Sequence, residues 1–433
     1  MRFRTALACL CAAIILSTVI ASPARAKKKG KEAAGGPSAA SLYKELDLFT
    51  KVLNLVQDDY VEDPDGRELV YGAIRGLLST LDPHSVFMTP EAYRELRVDT
   101  EGRFGGVGLE VTVRNNVLTV VTAIEGSPAE KAGVHAGDRI LKIDGVSTKE
   151  IGLAEAVRKM RGSRGSKVHL TLLREGQRDP IEVSLHRDTI RIKSVRSSLE
   201  EGGFGYVRIA SFQEDTDEDL RKNLDALEKK NKGPLKGLVI DLRNNPGGLL
   251  DEAVDVSDEF LESGTIVTTA SRNHEVDRRI ATKSGKEPSY PLIIMVNGGS
   301  ASAAEIVAGA LQDHKRAVLL GTQTFGKGTV QTIFELGDGA ALKLTVAKYY
   351  TPKGRSIQAE GIKPDVVVEA QKPRQTGSPA SKDRYVSEKD LAGHLEKKVE
   401  KKKEAEAAKT EEEDYQKRVA LNYLKSWQVF QKK

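Results

Sequence analysis

Two short stretches carry the residues best suited to chemistry. One reads Asn297-Gly298-Gly299-Ser300-Ala301-Ser302-Ala303-Ala304-Glu305, the other Gly321-Thr322-Gln323-Thr324-Phe325-Gly326-Lys327-Gly328-Thr329-Val330-Gln331. In the first, an apolar run from Leu292 to Val296 stops at glycines, and a helical pattern runs from Ala301 to Asp313. Ser302 therefore falls where a strand-to-helix turn meets the first helical turn, near free main-chain amides and the positive end of the helix dipole. Those surroundings suit a nucleophile beside an oxyanion site. Ser302 and Glu305 also have the spacing of a capping box, in which the serine only caps the helix. Caps are the commoner use of such a serine.

A serine nucleophile needs a base. His314 lies at the far end of the same helical pattern, about 18 Å from Ser302 at the usual rise, so it is out of reach. No His-Glu-x-x-His or comparable metal spacing occurs. Lys327 remains. The stretch around it matches a phosphate-binding loop except that Gly328 stands where that loop needs Ser or Thr for magnesium. Residues Thr329 to Phe334 are then β-branched and aromatic, not the helix whose N-terminus would hold the anion. A lysine can instead serve as a base when burial keeps it neutral, and glycines on both sides let backbone approach the serine. Gln331 could accept a proton from that lysine and orient it without adding charge. At this spacing the two side chains meet in a helical turn and stand about 13 Å apart in a strand, so contact calls for a local turn.

The rest of the chain must position these groups. Leu42, Leu46, Phe49, Val52, Leu53 and Val56 recur at helical spacing, and Leu69 to Leu81 repeats the pattern before Leu81-Asp82-Pro83-His84-Ser85 stops it. From 101 to 187 the chain becomes strand-like and glycine-punctuated, with one amphipathic helix from Leu153 to Met160. From 189 strands alternate with helices: Phe204 to Ala210, Thr216 to Lys230, Leu238 to Leu242, Leu249 to Leu261, Leu292 to Val296, Ala301 to Asp313 and Ala317 to Leu320. This order argues an α/β core, in which loops at the carboxyl ends of strands carry chemistry. Arg243-Asn244-Asn245-Pro246-Gly247-Gly248 and the Ser302 stretch both sit at such ends.

The 101–187 region resembles a PDZ domain through Gly106-Val107-Gly108-Leu109, Ser127-Pro128-Ala129, Ala132-Gly133-Val134, Gly137-Asp138-Arg139-Ile140 and Asp144-Gly145. Glycines let amides converge on a carboxylate, and a strand edge accepts an extended peptide. The resemblance makes Gly106, Val107, Gly108 and Leu109 the peptide-binding residues. The same glycines could make turns in another small β domain.

Taken together, Asn297 to Ile306, Phe325 to Gln331, Leu242 to Gly248 and Leu81 to Ser85 resemble the carboxyl-terminal processing, or tail-specific, proteases. The likeness covers roughly residues 41 to 370. It implies a multidomain α/β fold: signal peptide 1–26, linker 27–40, N-terminal helical region 41–100, a β-sandwich-like PDZ domain 101–187, an α/β serine protease core 188–370 and a charged helical C-terminal extension 371–433. It makes Ser302 the nucleophile, Lys327 the general base and Gln331 its orienting partner. The oxyanion site would be the amides of Gly248 and Ala303, with Gly247 as the alternative to Gly248. Ser300 is a rival nucleophile by sequence alone. No metal, nucleotide or other cofactor is required. The substrates would be proteins with free apolar C-termini. Arg161, just past the PDZ helix, is a candidate for coupling PDZ and core; a solvated surface arginine is the bland alternative. A PDZ adaptor or chaperone without catalysis is the competing reading, but a pure binder needs none of Ser302, Lys327 and Gln331.

Export is expected from the first residues. Arg2 and Arg4 precede an apolar stretch from Ala6 to Ala21, and Ala24-Arg25-Ala26 is a small-x-small cleavage site. The expectation is a signal peptide cleaved after Ala26 and a place in the bacterial periplasm or envelope. An uncleaved anchor, giving membrane association, is the alternative. Cys9 and Cys11 fall inside this segment, so the mature chain has no thiol chemistry and no disulfide. Its removal deletes Arg2, Arg4 and Arg25, so 67 basic residues become 64 against 62 acidic, a net charge of about +2. That excludes an electrostatic case for nucleic acid. Beyond 370, Lys397 to Asp414 is a solvated Lys/Glu run, and Val419 to Phe430 regains an apolar spacing that would dock on the fold or on a second subunit. A homo-oligomer and an adaptor protein are the further partners expected from the resemblance.

Overall fold

The computed structural model describes residues 39–149, 151–273, 276–370 and 414–431. The expected signal peptide, the linker up to residue 38 and the Lys/Glu run before Asp414 lie outside the described residues, while residues 39 and 40, expected as linker, begin a helix. The chain divides into two units, up to Val70 and from Tyr71 onward. In the first, Ala39–Asp59 is a helix whose Leu42, Leu46, Phe49 and Val52 are exposed. No described helix is long and apolar enough to cross a membrane.

The core of the second unit is a six-stranded sheet. Val195–Glu200 runs antiparallel to Phe204–Ile209. From there Leu238–Asp241, Leu292–Val296, Ala317–Gly321 and Val366–Val367 add in parallel. Alternation along the strands feeds two cores. Leu238, Ile240, Leu292, Ile294 and Leu319 pack with the helices Thr216–Asn231, Leu250–Asp258 and Ala303–Asp313. Val239, Ile293, Met295 and Leu320 face the other way, against Ala420 and Leu424 of the C-terminal helix Tyr415–Gln431. A sheet covered on both faces needs continuous apolar strands, which is why these segments do not alternate polar and apolar. The C-terminal helix thus docks on the fold through Ala420 and Leu424, while Tyr423, Trp427, Val429 and Phe430 of the same helix stay exposed.

A second sheet was not expected from the sequence. It joins Val86–Met88, Ala341–Tyr350, Gly264–Ser271 and Val276–Ala281, with Thr329–Glu335 pairing along Ala341–Tyr350. Val86–Met88 lies inside the stretch expected to be helical and adds to Ala341–Tyr350 instead, with Val86 opposite Lys343. This sheet carries Gln331.

The small β module has its own sheet, Leu109–Arg114, Val117–Ala123, Arg139–Ile143, Lys167–Leu173 and Ile181–His186, around Ile140, Ile143, Val168, Leu170 and Leu172. A ribbon of Arg103–Gly106 with Asp188–Arg191 leads out of it and straddles the expected boundary at residue 187.

Candidate active site

The helix that bears the serine starts at Ala303, so Ala301 and Ser302 belong to the turn. Ser302 has φ 54° and ψ −116°. That is a left-handed conformation which costs a non-glycine residue about 1–3 kcal/mol, and such strain persists where the surroundings over-determine it. It is also the sharp strand-to-helix geometry that exposes a nucleophilic serine. A simple cap residue has extended backbone. The capping-box pairing of Ser302 with Glu305 is present. Ser302 N–H donates to Glu305 Oε2 at 2.9 Å, and Glu305 N–H donates to the main-chain oxygen of Ser302 at 2.8 Å.

Ser300 is spent on structure. It is fully buried, its hydroxyl donates to Leu242 O at 2.7 Å, and it accepts from Asn297 N–H at 3.0 Å. His314 ends the helix and its Nε2 lies 2.7 Å from Thr265 O.

The Arg243–Gly248 loop closes against the serine. Asn297 Oδ1 accepts from the N–H groups of Asn244 and Gly299, and Ala301 N–H donates to Asn245 O at 2.9 Å. Gly247 has φ 99°, and a Cβ there would sit 2.7 Å from Ser302 Cβ. Gly248 has φ 143°, and a Cβ there would sit 1.9 Å from Phe212 O. Only glycine fits at either place. Gly247 N–H already donates to Asn245 Oδ1 at 2.8 Å. Among the described residues the N–H groups of Gly248 and Ala303 donate no hydrogen bond.

Glu305 ties the two motifs together. It is fully buried. Its carboxylate accepts from Ser302 N–H, from the Thr324 hydroxyl, from Gly326 N–H at 2.8 Å and from Lys327 N–H at 2.9 Å. Burial pushes this carboxyl up to about 7, and the four donors work against that rise. The Lys327 loop is held from other sides too. Phe325 N–H donates to Ser300 O at 3.0 Å, Gly328 N–H to Gln358 Oε1 at 2.9 Å, and the Tyr349 hydroxyl to Lys327 O. The loop amides that a phosphate would need are therefore consumed internally.

Gln331 lies in an extended strand rather than in a helical turn. The register passes from Val330–Ala347 to Gln331–Thr345, a bulge that leaves Val346 extra on the partner strand. Gln331 Nε2 donates to Thr329 Oγ1 at 2.9 Å and to Thr329 O at 3.2 Å, and it reaches Thr345 Oγ1 at 3.4 Å. Sequence reasoning gave Glu305 only a capping role and gave Thr345 none. The signal for Glu305 was present: it is the one acid in the first turn of a helix that is otherwise apolar enough to be buried all round.

In the β module, Gly106-Val107-Gly108-Leu109 runs from the ribbon into the first strand of the sheet. Val107 O accepts from Ala129 N–H and Gly108 O from Ile124 N–H, while the Val107 and Gly108 N–H groups donate none among the described residues. Arg161 is half-buried. Its guanidinium lies 4.9 Å from the centre of the Phe104 ring, and its Nε is buried without a hydrogen-bond partner. Phe104 sits on the Arg103–Gly106 strand, and the neighbouring Arg103 pairs with Glu214 at 2.5 Å.

Three regions of the chain match known families. Residues 203–368 match Peptidase family S41, residues 119–174 match the PDZ domain, and residues 13–92 match the activating protease CtpB N-terminal domain. The carboxy-terminal-processing protease of Bartonella bacilliformis is 46% identical over 382 residues, 88% of this chain and 87% of that protein. The carboxy-terminal processing protease CtpA of Bacillus subtilis is 37% identical over 358 residues, 82% of this chain and 76% of that one. The carboxyl-terminal-processing protease of Synechocystis is 41% identical over 324 residues, 73% of this chain and 75% of that one.

Proposed function

The chain belongs to the carboxy-terminal processing proteases of peptidase family S41, serine peptidases that here carry a PDZ domain, and on that premise we propose an exported endopeptidase with a Ser302/Lys327 mechanism. The PDZ loop from Gly106 to Leu109 captures the free carboxylate of a protein substrate, and the chain upstream is cut at the core. Neutral Lys327 Nζ takes the proton from Ser302 Oγ as that oxygen attacks the peptide carbonyl. Charge on the carbonyl oxygen falls to the N–H groups of Gly248 and Ala303. Gly248 is preferred over Gly247 because the Gly247 N–H is already bonded to Asn245. Lys327 then returns the proton to the departing amine, and water, giving up its proton by the same route, releases the acid and restores Ser302.

One observation carries the reading. A single buried carboxylate, Glu305, accepts main-chain N–H groups of both Ser302 and Lys327, so residues distant in sequence share one fixed frame. Arg161 against Phe104 is the proposed joint between PDZ occupancy and the core. Export and cleavage after Ala26 rest on the first 26 residues, and assembly into an oligomer rests on the resemblance.

The experiment is cleavage of an unfolded protein with an apolar C-terminus, without ATP or added metal. The wild type, Ser302→Ala and Lys327→Ala are compared, with folding checked by circular dichroism. Activity lost in both variants supports the pair. Equal activity in all three removes it, and peptide binding without cleavage by the wild type favours the adaptor reading.

A further inference from the structure

The Leu81-Asp82-Pro83-His84-Ser85 motif lies far from Ser302 in sequence and has no part in the mechanism above. In the fold it sits under Gln331. Asp82 and Ser85 are buried. Asp82 Oδ1 accepts from His84 N–H at 2.8 Å and Ser85 N–H at 3.0 Å, and Oδ2 accepts from the Ser85 hydroxyl at 2.7 Å. The turn so made faces Thr345. Thr345 N–H donates to Ser85 Oγ at 3.1 Å, and the Thr345 hydroxyl donates to Asp82 Oδ1 at 3.1 Å. Thr345 in turn stands opposite Gln331, whose Nε2 reaches its Oγ1 at 3.4 Å.

The direction of these bonds is fixed by chemistry. A carboxylate oxygen only accepts, so the Thr345 hydrogen points at Asp82 and its lone pairs are left for Gln331. Thr329 O also only accepts, and it lies 3.2 Å from the same nitrogen. Both neighbours therefore demand the NH2 end of the Gln331 amide on this side. Its oxygen is turned the other way. Burial raises the Asp82 carboxyl, but its hydrogen bonds from Ser85, His84 and Thr345 outweigh that and hold it below the usual carboxylate range.

We propose that Asp82 and Thr345 are positioning residues for the general base: they fix the amide of Gln331 so that its oxygen, not its nitrogen, is presented to the N–H of the Lys327 amine. This rests on the Ser302/Lys327 reading with Gln331 as orienting partner. It gives the Leu81–Ser85 motif a task that no motif match assigns to it.

The test uses the full chain and steady-state cleavage of an unfolded protein substrate, with thermal unfolding as a control. Thr345→Val keeps the shape and removes both hydroxyl bonds, while Thr345→Ser keeps them. The expected result is a fall in kcat of about tenfold or more for Thr345→Val, the scale of a small misplacement of catalytic groups. KM stays unchanged, and Thr345→Ser recovers most of the turnover. If Thr345→Val does not fold, Asp82→Ala is compared with Asp82→Asn, which retains an acceptor oxygen. Loss in the first and retention in the second is then expected. Gln331→Ala separates the two ideas. An impaired Gln331→Ala beside a wild-type kcat in Thr345→Val, or in Asp82→Ala where that replaces it, overturns the relay alone. So does Thr345→Ser falling as far as Thr345→Val. Wild-type turnover in Gln331→Ala overturns the orienting role and the relay with it.

Discussion

Glu305 accepts the main-chain N–H of Lys327 at 2.9 Å through the same oxygen, Oε2, that accepts the N–H of Ser302. The proposed nucleophile and base are thus registered through one carboxylate. Replacing Glu305 with Gln swaps one acceptor oxygen for an NH2 group, which must then face a hydroxyl or N–H donor that it cannot satisfy. The expected cost is about 1–3 kcal/mol of stability. Turnover should fall on the order of 100-fold, as small displacements at a reacting centre do. Chemical denaturation and single-turnover cleavage read the two effects separately.

The same carboxyl makes stability depend on pH. Its folded value, about 7, lies above the ordinary 4.5 because burial disfavours the charge. Between those values the native state holds more protons than the unfolded chain. Its contribution is therefore complete below about pH 4.5 and is lost as pH rises through about 7. The Tm difference between wild type and Glu305→Gln should grow as pH falls through this window. A difference that stays flat or shrinks would place the folded carboxyl at or below its ordinary value.

Gly247 and Gly248 should be intolerant of alanine for different reasons. At Gly247 the methyl group meets Ser302 Cβ, and at Gly248 it meets the carbonyl of Phe212 that accepts Leu249 N–H. Gly248→Ala should lower stability by at least about 1 kcal/mol, the cost of a special backbone conformation. Both should lower kcat more than they raise KM. Steady-state kinetics on the two folded variants checks this.

Arg161 offers a test of coupling. Removing its guanidinium from Phe104 should leave binding of a free C-terminal peptide intact. Cleavage of substrates with a free C-terminus should fall about fivefold or more, the usual scale of coupling between sites. Unchanged cleavage by Arg161→Ala would remove the joint.

The C-terminal helix covers one face of the sheet, and Leu424 is buried among Phe204, Val239, Ile293 and Met295. Leu424→Ala should cost about 2–5 kcal/mol, the range for cavities in close-packed cores. Arg243 joins this helix to the Arg243–Gly248 loop: it pairs with Asp241 at 2.7 Å and with Asp414, just ahead of the helix, at 2.5 Å, and donates to Gln416 Oε1 at 2.8 Å. Calorimetry on the full chain should show the loss as a lower Tm.

Physical rules decide which parts were legible in the sequence. Leu238 to Leu242 and Leu292 to Val296 read as strands because two-sided burial demands unbroken apolar runs. The turn that sets Ser302 just before a helix was legible because glycines end the strand there, whereas a role for it beyond capping came from the resemblance. The Lys327–Gln331 geometry was not legible. The β-branched run from Thr329 read as strand and is one, but contact between Lys327 and Gln331 called for a local turn, and the bulge opposite Gln331 is set by long-range pairing with Ala341–Tyr350. Thr345 and Asp82 were hidden for the same reason: contacts between residues so far apart leave no periodic trace in one sequence. That the Gly247 N–H is engaged by Asn245 could not be read from the sequence, which left Gly247 as an alternative to Gly248.

The central claim is that Ser302 is a nucleophile made reactive by Lys327. The direct measurement is mass-spectrometric mapping of the residue labelled by a peptidyl fluorophosphonate, in wild type and in Lys327→Ala. The account predicts one adduct, on Ser302, strongly reduced when Lys327 is removed. An adduct on Ser300 or elsewhere, or labelling of Ser302 undiminished in Lys327→Ala, would contradict it.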